Sequence, residues 1–381
     1  MLDNRDLFQD LVSSGKIAIE PSPFFQSMPD PIQLSSAVDR VEGMLLGLAI
    51  GDSLGNRSES MSPRSRKARY GEIKDYLSNR FAEDKAVGLP SDDTQMAFWT
   101  VENLLQYGRL VPEALAATFC EKQIYGIGRT VREFIRQHKD LKMSWYESGV
   151  ASAGNGALMR IAPVLLPHLR HPSSALWADA ALAAFLTHND RGSTASCIAF
   201  INLLLNALRM DTVPPRGWWV NTFCQVAREL EGDTRFSPRN EAISFQHCGP
   251  LWAFTETVVN EALSKGLPVL DACESWHSGA YLLETVPCFI YILETCCHDP
   301  ELAIIRAVND TRDNDTIASI VGAAVGALHG KKALPERWVK NLLGRTEKDD
   351  DGHLFTLIDR CKSEFLEQKN EQLVSMSQMR P

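Results

Sequence analysis

Four glycines, Gly43, Gly47, Gly51 and Gly55, recur at intervals of four within the stretch Val41 to Gly55. Residues four apart share one face of a helix. A glycine in a helix interior costs about 1 kcal/mol against alanine. A whole stripe therefore needs compensation, and the natural one is close approach of another backbone, which a Cβ would block. A second stripe, Gly322, Gly326 and Gly330, lies far downstream. Both stripes predict helices in a tightly packed centre, with the glycines serving packing rather than chemistry.

The rest of the chain agrees with an all-α fold. Helical periodicity sets in near Val38. Further helices are predicted over Gln95–Tyr107, ended by Gly108, and over Pro112–Glu121, Ala175–Leu186, Thr194–Leu208 and from Pro300 to Val308. Alternating strand patterns are scarce, and no hairpin signal stands out. Residues 232–244 and Lys348-Asp349-Asp350-Asp351-Gly352 read as loops, the latter as a solvated acidic turn. The predicted organisation is an N-terminal extension (1–38), one helical domain with a central metal cleft (39–365) and a polar tail (366–381). In the extension, Leu7, Phe8, Leu11 and Val12 lie at helical spacing, followed by Pro21, Pro23, Pro29 and Pro31 around a Phe24-Phe25 pair. A loosely docked arm is the common outcome for such a terminus; a partner-binding arm is the sharper one, because a disordered tail does not need an apolar face.

Composition excludes several classes. With a formal net charge of -9, the chain repels a polyphosphate backbone, which argues against general nucleic-acid binding. The polar start has no apolar run after it, so no secretory signal is expected. No apolar segment is long enough for a membrane span; Ile317 to Leu328 is too short. The nine cysteines form neither a disulfide framework nor a zinc-finger spacing, which suits a reducing cytoplasm.

The chemistry concentrates in two clusters. Ser91-Asp92-Asp93-Thr94 precedes one predicted helix, and Asp313-Asn314-Asp315-Thr316 precedes another. Serine and aspartate at a helix start are ordinary caps, and double capping accounts for part of the pattern. It does not account for adjacent carboxylates, which repel unless a cation or donors neutralise them. Oxygen-only donor sets favour Mg²⁺, Mn²⁺ or Ca²⁺ over zinc, and Asp92, Asp93, Asp313 and Asp315 suffice for a binuclear site. Between them lies Ser152-Ala153-Gly154-Asn155-Gly156, where small residues let a ligand approach the backbone; the same residues also make a common turn. Tyr125-Gly126-Ile127-Gly128 has no strand before it and is not a dinucleotide fingerprint. His188, after an apolar helix, and Glu59, in a polar stretch, are equally at home as a structural hydrogen-bonder and a solvated carboxylate.

Taken in order, the segments Gly47-Leu48-Ala49-Ile50-Gly51-Asp52-Ser53-Leu54-Gly55, Ser91-Asp92-Asp93-Thr94-Gln95-Met96, Gly154 to Arg160, Thr187-His188 and Asp313 to Ala318 resemble the ADP-ribosylglycohydrolase family, which includes the dinitrogenase reductase-activating glycohydrolases. The resemblance spans roughly residues 40–330. It implies an all-α enzyme that hydrolyses the N-glycosidic bond of ADP-ribosylated protein side chains, arginine first, with two Mg²⁺ ions (or Mn²⁺) in a central cleft. It implies Ser91, Asp92, Asp93 and Asp315 on one ion and Asp313, Asp315 and Thr316 on the other. It implies Gly154, Asn155, Gly156 and His188 against ADP-ribose, Glu59 as a mobile-loop catalytic glutamate, and Asp92 or Asp93 assisting proton transfer. Thr311-Arg312 stands where the family often carries glycines, and Ser91 where threonine is frequent. Some family members act as immunity factors that bind an ADP-ribosyltransferase toxin, which gives the N-terminal arm an alternative role; another ADP-ribose conjugate, such as a serine-linked or O-acetyl one, is the other alternative.

Overall fold

The computed structural model describes residues 3–239 and 246–367, so the polar tail lies almost wholly outside the described residues. The described part is helical. In chain order come α1 (Asn4–Ser13), α2 (Leu34–Gly55), α3 (Pro63–Tyr70), α4 (Asp92–Tyr107), α5 (Pro112–Glu121), α6 (Arg129–Ile135), α7 (Ala175–Phe185), α8 (Arg191–Ala207), α9 (Trp218–Glu231) and α10 (Leu251–Lys265). Then follow α11 (Val269–Ser275), α12 (Leu282–Cys296), α13 (Pro300–Asp310), α14 (Asn314–His329), α15 (Glu336–Asn341) and α16 (His353–Cys361). The expected all-α class holds. One two-residue hairpin, β1 (Ser78–Asn79) with β2 (Lys85–Ala86), pairs Ser78 with Ala86 and Asn79 with Lys85. A ladder so short and polar carries no alternation for a sequence reading to detect.

The glycine stripes face each other. A Cβ on Gly47 would stand 2.1 Å from the Gly322 carbonyl oxygen, one on Gly43 2.5 Å from that of Gly326, and one on Gly51 2.1 Å from that of Ala318. Rising numbers on α2 meet falling numbers on α14, so the two helices run antiparallel with their backbones in contact. Any side chain along this seam would force the helices apart. The pair is enclosed by α4, α8, α12 and α13, and the buried residues form one contiguous core. Antiparallel pairing also has a directional consequence. It brings the C-terminal end of α2 against the N-terminal end of α14, where a Cβ on Gly55 would stand 2.4 Å from the Asp315 Cα.

The N-terminal extension is docked. On α1, Phe8 and Leu11 are buried, and Ile17 and Ile19 follow them into the core. The Asn4 amide donates to the Leu110 carbonyl (2.9 Å) and to Asp179 (2.6 Å). Phe24 lies 4.8 Å from the Trp177 ring, and the Trp177 indole donates to the Ser27 carbonyl (2.9 Å). The apolar face that suggested a partner is therefore spent on α7, within the chain. The helix that opens the domain starts at Leu34, ahead of the Val38 onset read from periodicity. The acidic segment at 348–352 is a turn, as expected: Asp350 accepts from the backbone N–H groups of Thr346 (3.0 Å) and Glu347 (2.9 Å).

Candidate metal centre and active-site cleft

Both carboxylate clusters sit at helix N-termini, but in neither does the N-cap side chain cap its own helix. Ser91 precedes α4 and Asp313 precedes α14, each without a side-chain cap bond to its helix. The start of α4 is instead held from α2. Asp52, fully buried, accepts from the Ser91 N–H (2.8 Å) and hydroxyl (2.6 Å), and from the Thr94 N–H (3.2 Å) and hydroxyl (2.6 Å). The Asn56 amide adds a fifth donor at 3.0 Å. With α4 capped by Asp52, capping no longer explains Asp92 and Asp93; Asp313 makes no cap bond to α14 and accepts from Asn155 instead.

Two groups of three carboxylates come within ligand reach of one another. Oxygens of Asp52, Asp93 and Asp315 lie within 4.8 Å, as do oxygens of Glu59, Asp313 and Asp315. Asp315 belongs to both groups. Five donors already occupy the Asp52 oxygens, so that residue positions the others, whereas Asp93 keeps Oδ1 buried with no partner. Burial is the first cause that raises every one of these carboxyls, and neighbouring carboxylates add to it. Asp93 and Asp315 are pushed well above the usual range, Asp92 to about 8, Glu59 to about 7 and Asp313 to about 6. Glu59 reaches solvent, yet it stands among enough protein, beside Asp313 and Asp52, for burial still to dominate. A buried, like-charged, oxygen-only set with an orphaned oxygen fits a hard divalent cation. The positive ends of the α4 and α14 dipoles point into the same space.

The structure thus brings together Asp93, Asp313 and Asp315 of the expected ligands. Asp92 lines the cleft but joins neither group, the Ser91 hydroxyl is committed to Asp52, and Thr316 lines the cleft beside Asp315. Glu59, expected as a catalytic loop residue, stands within ligand reach of Asp313 and Asp315. Two contributors were missed. Asp52 was quoted only as part of a motif. Arg66, wholly buried, donates to the Ser58 hydroxyl (2.9 Å) and to the carbonyls of Met61 (3.1 Å) and Thr311 (2.7 Å), tying the Glu59 loop to the segment before Asp313. Asp52 directly follows a stripe glycine, which is a usable signal; an arginine among the many charges of 57–69 offers none.

The carboxylates form one end of a cleft of about 460 Å³. The same cleft is lined by Gly154, Asn155, Gly156 and His188, by Gly126, which stands against Asp92, and by Arg129 and Arg239. Gly154 and Gly156 lie against the His188 ring, where a Cβ on Gly156 would stand 2.8 Å from Cε1. His188 is buried, shares a 2.9 Å hydrogen bond with the Thr187 hydroxyl, and is held neutral: burial, then the Arg160 charge, pushes its pKa down to about 3. Asn155 turns its amide onto Asp313 (2.5 Å) and Thr285 (3.0 Å), so its side chain orients a carboxylate. Arg312 is not among the side chains lining the cleft.

The sequence model of the ADP-ribosylglycohydrolase family matches residues 33–371. The chain belongs to that family. It is 26% identical over 324 residues to the ADP-ribosyl-[dinitrogen reductase] glycohydrolase of Rhodospirillum rubrum, covering 82% of this chain and 94% of that protein. It is 25% identical over 345 residues to the ADP-ribosylarginine hydrolase Tri1 of Pseudomonas putida, covering 84% and 78%. A solved ADP-ribosylglycohydrolase-related protein complex shares the fold, with a TM-score of 0.62 and 23% identity over 87% of this chain and 98% of that one. The chain is thus a glycoside hydrolase of ADP-ribose conjugates. No helix among the described residues is long and apolar enough to cross a membrane.

Proposed function

We propose that the chain removes ADP-ribose from modified arginine side chains of proteins, using two divalent cations, Mg²⁺ or Mn²⁺, between the α4 and α14 N-termini. The observation that carries this is the pair of three-carboxylate groups sharing Asp315 in a cleft that Gly154 and Gly156 also line. Cations held there supply Lewis acidity toward the ribose hydroxyls and an activated water. The chain's own residues do the rest. Asp93, Asp313 and Asp315 hold charge in place, Asp52 and Asn155 fix their orientation, and Glu59 closes the second group from its loop. The backbone at Gly154 and Gly156 admits the diphosphate, and a neutral His188 adds no charge that would compete with the cations. Asp92, outside both groups yet on the cleft wall, is the carboxyl free to move a proton as the C1–N bond breaks.

Names of two relatives support the acceptor class: one acts on ADP-ribosylarginine and one on ADP-ribosylated dinitrogen reductase. Nine free thiols suit a reducing cytoplasm. A toxin-binding role for the arm would have to use its exposed polar face, since the apolar one covers α7. The decisive experiment measures ADP-ribose release from a defined arginine-modified peptide, with Mg²⁺, Mn²⁺ or EDTA, alongside serine-linked and O-acetyl conjugates. Full turnover in chelator removes the metal from the mechanism. Preference for a serine-linked conjugate removes arginine.

A further inference from the structure

A second cavity of about 560 Å³ adjoins the cleft and shares Glu59 and Gly126 with it. Ser91 faces this second space while Asp92 and Asp93 face the first. Glu59 therefore stands at the boundary between two chambers, with the other carboxylates of the cluster on the cleft side. Resting on the hydrolase function proposed above, we infer that the second cavity receives the acceptor segment of the modified protein, as an extended peptide whose long aliphatic-stemmed side chain reaches the cluster.

Three features point to that occupant. First, the bond to be broken joins ADP-ribose to its acceptor. If the cleft takes the ADP-ribosyl part and the reacting carbon sits at the carboxylates, the acceptor belongs on their far side. Second, the lining is unlike that of the cleft. Phe81, Leu89, Pro90 and Tyr125 give it an apolar floor, and charges of both signs at the rim, such as Arg57 and Glu347, leave no anion preference. Such a surface suits a peptide with an aliphatic stem and polar ends rather than a diphosphate.

Third, Phe81 is presented rather than merely left over. It is 68% exposed, the highest value among the exposed large hydrophobics of the described residues. It sits between β1 and β2, where Asn79 Oδ1 accepts from its N–H (3.0 Å) and Glu83 and Asp84 take left-handed backbone conformations (φ 55° and 57°). The Arg80 guanidinium lies 4.7 Å from its ring centroid, and the Arg345 guanidinium donates to its carbonyl (3.5 Å). Two successive left-handed residues turn the chain back between β1 and β2, and the ring stands out from that turn. A ring this exposed adds little to the free protein beyond its contact with Arg80, whereas aromatic anchors are common where a partner docks.

The test compares two substrates on the full chain: an arginine-ADP-ribosylated protein, and free ADP-ribosyl-arginine, which has no flanking peptide. Phe81→Ala is expected to raise KM for the modified protein by about tenfold, the scale of one lost aromatic anchor. The KM for the free conjugate should move far less, and kcat should stay close to wild type on both. Phe81→Leu should recover part of the loss by restoring apolar area. Equal losses on both substrates would mean that Phe81 contacts the ADP-ribosyl part, and no loss on either would mean an unused surface; both overturn the inference. A wild-type chain that cleaves neither substrate overturns the functional reading itself, and this inference with it.

Discussion

Two parts of the site are built on glycine, and they use it differently. Along α2 and α14 the missing Cβ lets backbone meet backbone, with virtual Cβ positions 2.1 Å from a carbonyl oxygen at Gly47 and at Gly51. At Gly154 and Gly156 the missing Cβ makes room for an imidazole, at 3.4 and 2.8 Å. Backbone in a buried helix has nowhere to go, so the first seam dictates the fold and aligns the carboxylates. A ring can tilt, so the second shapes a binding wall without holding the domain together. Burial also acts on the two parts with opposite sign. It raises the carboxyls, a change a cation can reverse, and it lowers His188, which has no counter-charge to restore it.

The largest effect should come from the residue both carboxylate groups share. Asp315→Asn is expected to cut ADP-ribose release by about 100-fold or more, the scale of several kcal/mol of metal-derived stabilisation, and calorimetry should show weakened Mg²⁺ binding. Next is the seam. Gly47→Ala gains about 1 kcal/mol of helix propensity, yet overpacking against Gly322 should leave the protein about 1–3 kcal/mol less stable in urea unfolding. A neutral or stabilised variant would break the contrast, because it would show that the helices can yield.

In the cleft, Gly156→Ala should spare stability by comparison. Moving the His188 ring should cost less than about 1 kcal/mol by the same unfolding measurement, while KM for the conjugate should rise by about tenfold, on the order of 1.4 kcal/mol of binding. If unfolding suffers as much as in Gly47→Ala, the two uses of glycine are one.

The smallest effect is on pH. In cation-free protein Glu59, Asp92 and Asp313 stand at about 7, 8 and 6, against about 4 for free carboxyls. Between those values the folded chain holds protons that the unfolded chain has lost, so stability falls as pH rises through the window. Thermal melts should show the cation-free Tm dropping by a few degrees from pH 5 to pH 8, with Mg²⁺ offsetting more at the higher pH. A cation-free Tm that rises over this range would contradict the raised carboxyls.

Much of this was legible along the chain. The spacing of four in Gly43 to Gly55 predicted a close-packed helix, and the structure has it over Leu34–Gly55. The helix at Pro112–Glu121 has the predicted bounds, and Gly108 ends α4 in a left-handed conformation (φ 68°). Asp93, Asp313 and Asp315 were picked out by type and position and do converge. The roles of Asp52 and Arg66 were not legible, because each acts on a segment distant in sequence: Asp52 caps α4 from another helix, and Arg66 binds carbonyls on both sides of the site. The arm stayed open between two readings for a related reason. Periodicity shows that Phe8 and Leu11 share an apolar face, but not whether its partner is another protein or α7.

The sequence by itself therefore determined the local features: the helices, the glycine stripes, the carboxylates at two helix starts and the glycine loop between them. Each of these depends on residues within a few positions of one another, where periodicity and side-chain chemistry decide. Only the tertiary structure decided that the two stripes face each other in antiparallel register, that Asp52 takes over the capping of α4 and frees Asp92 and Asp93, and that Glu59 is carried to Asp315. Those outcomes depend on contacts between distant segments, which are selected by the fit of whole surfaces rather than by local preference.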